Sequence, residues 1–190
     1  MRRVDLALLA AAKMPPDSTV VCGLGSTSRA WREIGDPRPS YYASDPMGLA
    51  SSIALGLALA DQSRPTTLLQ GDGDLLMSLG ALVTAATEAP DNLRTIVFHN
   101  RIYETGGRRP LPVGDDFDLA GIAGAAGLNP VLAPPTDAEV DEALTVIFAA
   151  PGPGLVVVLV DPEESPYGAP PKWSQAEERA FFLQAREASS

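Results

Sequence analysis

The chain has 190 residues, about the length of one domain, and 45% of them are hydrophobic, enough to bury a core. A formal net charge of −10 and an isoelectric point near 4.5 argue against nucleic acid and anionic membranes as partners, because both need a basic face. The single cysteine, Cys22, lies in an apolar strand; it forms no disulfide framework, reads as a buried inert thiol, and points to an intracellular, cytoplasmic setting.

At the amino end, Arg2-Arg3 followed by Leu6 to Ala12 faintly resembles a signal peptide, but Asp5 and Lys13 interrupt it and the apolar run is at the short limit. The segment 4–13 reads instead as an amphipathic helix. A strand near 19–23, a helix near 27–33 and a short strand near 40–44 follow. The Ala, Gly and Leu-rich segment 48–61 reads as a helix buried almost all round. Next come an apolar strand at Thr66 to Gln70, an amphipathic helix from Leu75 to Glu88, and a strand at Arg94 to Phe98 that runs out at Asn100. A mobile loop carrying Gly106, Gly107, Pro110 and Pro112 crosses to a helix near 117–126, a short strand near 129–132 and a helix near 136–148. The continuous run Gly154 to Val160 has the pattern of a central parallel strand. Strands alternating with helices predict an α/β fold, a doubly wound parallel sheet in three layers. Residues 1–162 form this domain. Pro162 closes it, and Pro166, Pro170 and Pro171 mark a linker within 163–190, which ends in a helix near 174–187 carrying Phe181 and Phe182; that helix packs on this chain or on a partner. No stretch reaches the roughly 18 apolar residues that span a bilayer.

The densest chemistry lies in Gly71-Asp72-Gly73-Asp74, with Asn100 twenty-eight positions after Asp72. Both motifs sit where a strand ends, within one βαβ unit. Adjacent parallel strands would bring Asp72 and Asn100 together at the rim of the sheet, where open α/β folds bind ligands. A carboxylate and an amide oxygen suit Mg²⁺, which takes its remaining ligands from phosphate and water. The glycines let backbone N–H groups approach a phosphate. The spacing therefore predicts a Mg²⁺-diphosphate site.

This pattern resembles the diphosphate-binding domain of thiamine diphosphate enzymes. Three further stretches, in order, are similar to the sulfopyruvate and phosphonopyruvate decarboxylase branch: Gly25-Ser-Thr-Ser-Arg29, the run from Tyr41 to Gly56, and Asn100-Arg-Ile-Tyr-Glu-Thr-Gly-Gly107. The resemblance covers about residues 4–162 and only the diphosphate-binding half of such an enzyme. It implies a thiamine diphosphate and Mg²⁺-dependent carboxy-lyase acting on a small anionic 2-oxo acid. It also implies a pyrimidine-domain partner subunit that supplies the catalytic Glu across the interface, in a heterodimer or higher hetero-oligomer.

The same resemblance assigns roles by position. Asp72, Asn100 and the Ile102 carbonyl are the metal ligands. Gly71, Gly73 and Asp74 meet the diphosphate through backbone N–H groups, and Tyr103 completes the cofactor-binding set. Asp74 departs from the small residue usual there; as a helix N-cap it would point at its own backbone donors rather than at phosphate. Met47 is the apolar wedge beneath the cofactor, with a core filler at a helix start as the alternative, and the Asp45 carbonyl accepts from the 4′-amino group. Asp45-Pro46 replaces the usual Gly-Ser, yet only a carbonyl is required at 45. Arg29 pairs with the anionic tail of the substrate or else forms a surface salt bridge. Glu104 is a candidate catalytic carboxylate, or else a solvated loop residue. His99, the only histidine, relays a proton or is satisfied by backbone. Arg108 stands where Gln is usual, which leaves the acid unspecified.

Three other readings compete. A carboligase shares every step up to decarboxylation. A catalytically silent subunit would only support a partner. Gly23-Leu-Gly25 before a helix resembles a dinucleotide fingerprint, but position 28 is Ser where the third glycine belongs.

Overall fold

A computed structural model describes residues 1–44, 46–104, 106–162 and 173–188. Asp45, Thr105 and the linker expected at 163–172 lie outside the described residues. The chain runs through α1 (Arg3–Lys13), β1 (Thr19–Cys22), α2 (Ser26–Ile34), β2 (Ser40–Tyr42), α3 (Leu49–Ala60) and β3 (Thr66–Gly71). It continues with α4 (Asp72–Leu76), α5 (Gly80–Glu88), β4 (Leu93–His99), β5 (Ile102–Tyr103) and β6 (Arg109–Pro110). The last elements are α6 (Leu119–Ala125), β7 (Val131–Leu132), α7 (Asp137–Ala149), β8 (Gly154–Leu159) and α8 (Gln175–Ala188).

Six strands form one parallel sheet in the order β2-β1-β3-β4-β8-β7. Side chains alternate across it, so each central strand feeds two cores. Val20, Cys22, Leu69, Ile96, Phe98, Val156 and Val158 pack with α1, α2 and α7. Val21 and Leu68 pack under α3, and Val97, Leu155 and Val157 pack under Leu75, Leu82 and α6. This two-sided burial is why Ile96 to Phe98 of β4 and Leu155 to Val158 of β8 are continuously apolar rather than alternating.

Local signals set several boundaries. Gly35 closes α2 in the left-handed conformation with φ 63°. Asp118 caps α6 by accepting from the Gly121 N–H at 2.8 Å.

Three elements depart from the sequence expectation. The helix expected from Leu75 to Glu88 is two helices, because residues 75–82 pass through i→i+3 turns: Ser78 N–H donates to the Leu75 carbonyl and Ala81 N–H to that of Ser78, each at 2.9 Å. Gly80, a weak helix former, starts the second piece. The 48–61 helix is buried on one side only; Ser52, Gly56 and Ala60 face solvent. The loop after Asn100 carries a short antiparallel pair, β5 and β6, that the sequence did not announce. Leu111 is buried behind it, and its N–H donates to the Arg101 carbonyl at 3.0 Å.

Helix α8 packs on this chain over the edge strand β2. Phe182 meets Tyr41 edge to face at 5.5 Å, Glu178 pairs with Arg32 at 2.7 Å, and Arg186 pairs with Asp61 at 3.0 Å.

Candidate active site

The strand order reverses between β1 and β3, and the cleft opens at their carboxyl ends, as expected for an open parallel sheet. Its wall takes Leu24, Ser26 and Thr27 after β1, Gly71 to Asp74 after β3, and Phe98, Asn100 and Ile102 to Glu104 around the end of β4. Met47 and Arg3 complete it.

Strand pairing places the metal candidates. Gly71 lies opposite Phe98 in the parallel β3/β4 register, so the residues that follow both strands emerge at one rim. Asp72 is buried there with both carboxylate oxygens oriented: Oδ1 accepts from Gly73 N–H at 2.7 Å and keeps one acceptor position, and Oδ2 accepts from Arg101 N–H at 2.7 Å and faces His99 Nδ1 at 2.7 Å. An ionised Asp72 requires that Nδ1 carry the proton. His99 is thus satisfied by a carboxylate rather than by backbone, because β4 ends directly beside β3. Asn100 Oδ1 accepts from Ile102 N–H at 3.0 Å, which folds the 100–102 turn back toward Asp72.

Gly73 N–H, expected to meet a phosphate, donates here to Asp72. The glycine is required by a close approach: a Cβ at 73 would stand 2.6 Å from the Tyr103 ring and 3.4 Å from Leu111. Tyr103 therefore lies directly on the Gly71–Gly73 turn.

Asp74 is not the N-cap of its helix. Gly71 holds that position, and Asp74 reaches across to accept from Gly48 N–H through Oδ1 at 2.6 Å. Its other oxygen has no hydrogen-bond partner among the described residues. Burial raises its pKa above the ordinary carboxylate value, opposed by the Gly48 bond. Gly48 itself has φ 95°, and the turn containing half-buried Met47 sits against α4.

Glu104 is not a solvated loop carboxylate. It is 8% exposed and ion-paired with Arg3 from the start of α1. Arg29, in contrast, lies half-buried on α2 outside the cleft wall, and the cation that does line it is Arg3. Nothing in the local sequence announces Arg3, since its partner is about a hundred positions away; the one trace is an arginine at the head of an apolar helical stripe. Leu24 and Phe98 carry no sign of lining the cleft in the sequence, because apolar residues at strand ends have no chemical signature. Among the described residues no group of three His, Cys, Asp or Glu could hold a metal, so an ion at this rim needs amide and carbonyl oxygens. No described helix is long and apolar enough to cross a membrane.

Residues 23–158 match the family model described as "Thiamine pyrophosphate enzyme, C-terminal TPP binding domain". The chain is 41% identical over 146 residues to the sulfopyruvate decarboxylase subunit beta of Methanothermobacter thermautotrophicus, covering 77% of this chain and 75% of that one. It is 36% identical over 152 residues to the phosphonopyruvate decarboxylase of Streptomyces viridochromogenes, covering 80% of this chain but only 38% of that protein. Benzoylformate decarboxylase from Polynucleobacter necessarius shares the fold, with a TM-score of 0.75, 22% identity, and coverage of 87% of this chain and 34% of that one.

Proposed function

Because the chain belongs to the thiamine pyrophosphate enzymes through their C-terminal TPP-binding domain, we propose that it is the diphosphate-binding subunit of a two-chain decarboxylase. The substrate is a small anionic 2-oxo acid of the sulfopyruvate or phosphonopyruvate type. Thiamine diphosphate and Mg²⁺ are the cofactors, a pyrimidine-domain subunit is the partner, and the setting is cytoplasmic. Residues 1–162 are the cofactor-binding domain and 163–190 an extension. The nicotinamide reading falls with the family assignment and with a strand order that starts β2-β1-β3.

The observation that carries this reading is the convergence of Asp72, Asn100 and Ile102 on one rim of the cleft. The residues present fit a metal-bridged diphosphate: the donor set is all oxygen, as Mg²⁺ prefers, and the turn beside it is so closely approached by Tyr103 that a single methyl group would overfill it. When bound, thiamine diphosphate supplies the carbon nucleophile and the electron sink for loss of CO₂.

This chain's residues bind and orient. Asp72, Asn100 and the Ile102 carbonyl hold the ion, while His99 and the Arg101 N–H fix the Asp72 carboxylate before the ion arrives. Gly71, Gly73 and Asp74 offer the diphosphate turn, and Tyr103 and Leu111 shield it from water. Met47 would supply an apolar wall to the cofactor rings, and the resemblance gives the Asp45 carbonyl, outside the described residues, the role of acceptor for the pyrimidine amine. Arg3 and Glu104 form the charged end of the cleft, and Arg29 stands behind it on α2. The catalytic Glu would come from the partner. Two facts about relatives support that division: one similar protein is named a beta subunit, and the chain spans about two fifths of a similar decarboxylase.

The test is co-expression with a pyrimidine-domain candidate, titration with thiamine diphosphate in Mg²⁺ or EDTA, and a screen of 2-oxo acids for CO₂. Saturable Mg²⁺-dependent binding is expected, weakened about 100-fold by Asp72→Asn, equivalent to ~2.8 kcal/mol, with CO₂ released only by the pair. Binding without CO₂ from any acid would identify a silent subunit. CO₂ that appears only with an acceptor aldehyde would identify a carboligase. Equal turnover by the isolated chain would overturn the shared site.

A further inference from the structure

We propose that Asp74 is a positioning residue that ties the Met47 turn to the Asp72 metal turn, so that one hydrogen bond sets the spacing between the two sides of the cofactor cleft. The inference rests on the proposed cofactor site and names a determinant of its geometry.

The carboxylate is boxed in by two glycines. Oδ1 accepts from Gly48 N–H at 2.6 Å. A Cβ at Gly23 would stand 2.6 Å from Oδ2. Gly48 has no slack on its other side, since a Cβ there would lie 3.1 Å from the Cβ atoms of Met77 and Ser78. Met47, immediately before Gly48, lines the cleft, and Asp72 stands two residues before Asp74 in the same short helix. The bond therefore crosses from the element that carries the ring-supporting side chain to the one that carries the metal ligand.

The fold gives up stability to keep this group. Asp74 is 4% exposed and its Oδ2 has no hydrogen-bond partner among the described residues, a cost for any buried carboxylate. Unsatisfied buried polar atoms that persist in a native structure concentrate where function fixes the residue.

The experiment compares wild type, Asp74→Asn and Asp74→Ala in the complex with the partner subunit. Asn keeps the acceptor at Oδ1, and Ala removes it. The measurements are thiamine diphosphate affinity by fluorescence titration in Mg²⁺, hydrogen exchange of the 46–49 segment without cofactor, and the cofactor-free melting temperature. Asp74→Ala is expected to weaken affinity about tenfold and to speed exchange at 46–49, with the melting temperature unchanged or raised. Asp74→Asn is expected to restore both affinity and protection. The proposal is overturned if Asp74→Ala binds and exchanges like wild type, if Asp74→Asn is as impaired as Asp74→Ala, or if affinity and melting temperature fall together. A wild-type complex that binds no thiamine diphosphate refutes the proposed function instead, and the exchange data still decide whether the tie exists.

Discussion

His99 Nδ1 lies 2.7 Å from Asp72 Oδ2, and both side chains are buried. The pair joins the ends of two adjacent parallel strands, and with the N–H groups of Gly73 and Arg101 it surrounds the Asp72 carboxylate with three donors. A carboxylate held in that way is oriented before any ion binds, so the entropy of ordering it is met during folding.

Replacing His99 by Phe should fill the space and remove one donor. Leaving the buried carboxylate short of a partner is expected to cost ~2 kcal/mol of stability and to weaken Mg²⁺-dependent cofactor binding. Urea denaturation of the cofactor-free protein checks the first effect. An unchanged midpoint would show that Asp72 does not depend on His99.

Gly73 and Tyr103 should behave as a coupled pair. Gly73→Ala places a methyl group within 2.6 Å of the Tyr103 ring, and the ring and its hairpin must move. A loss of ~1–3 kcal/mol is expected from such overpacking, with a parallel loss of cofactor affinity. Tyr103→Ala, which removes the ring, should abolish most of the further cost of Gly73→Ala. Additive effects in this double-mutant cycle would count against the contact.

Arg94 sits at the opposite end of β4 and serves the fold. Its guanidinium donates to the carbonyls of Ile147 at 2.7 Å, Asp91 at 2.7 Å and Leu93 at 2.8 Å, and also to that of Ala150. It thereby holds the last turn of α7 and the residue that ends it, groups no intrahelical donor can reach. Arg94→Met should destabilise the chain by about 3 kcal/mol yet leave cofactor affinity in the folded fraction at the wild-type value. Thermal melts and titrations on the same samples separate the two outcomes.

Cys22 should be inert in the folded protein. It is fully buried on β1, and burial pushes its thiol well above the usual range. Raising the pH from 7 to 9 would convert an ordinary exposed thiol largely to thiolate, whereas native Cys22 should stay protonated and react with a disulfide reagent only on unfolding. Rapid labelling at pH 9 without denaturant would show that β1 opens.

Much of the fold was legible because its signals are local. Thr66 to Gln70, Arg94 to Phe98 and Gly154 to Val160 declare strands by apolar continuity, and Leu75 to Glu88 declares helix by its period. The break at Met77 to Leu79 was not legible, since the apolar period runs on through it while the backbone turns by i→i+3 bonds. At the cleft, the motif at Gly71 to Asp74 and Asn100 was readable because it is short, local and placed at two strand ends. The partners of Asp74, His99 and Glu104 were misread for one common reason: each is bonded to a residue distant in the chain.

The sequence by itself determined the parallel α/β architecture, the family, and the strand ends where Asp72 and Asn100 stand. These rest on periodicity and on short motifs, which a chain carries along its length. The tertiary structure alone decided that Arg3 rather than Arg29 lines the cleft, that Glu104 is buried in an ion pair, and that Asp74 clasps Gly48. Those choices depend on which side chains meet when distant segments pack, where desolvation makes every buried charge find a partner or bear the cost.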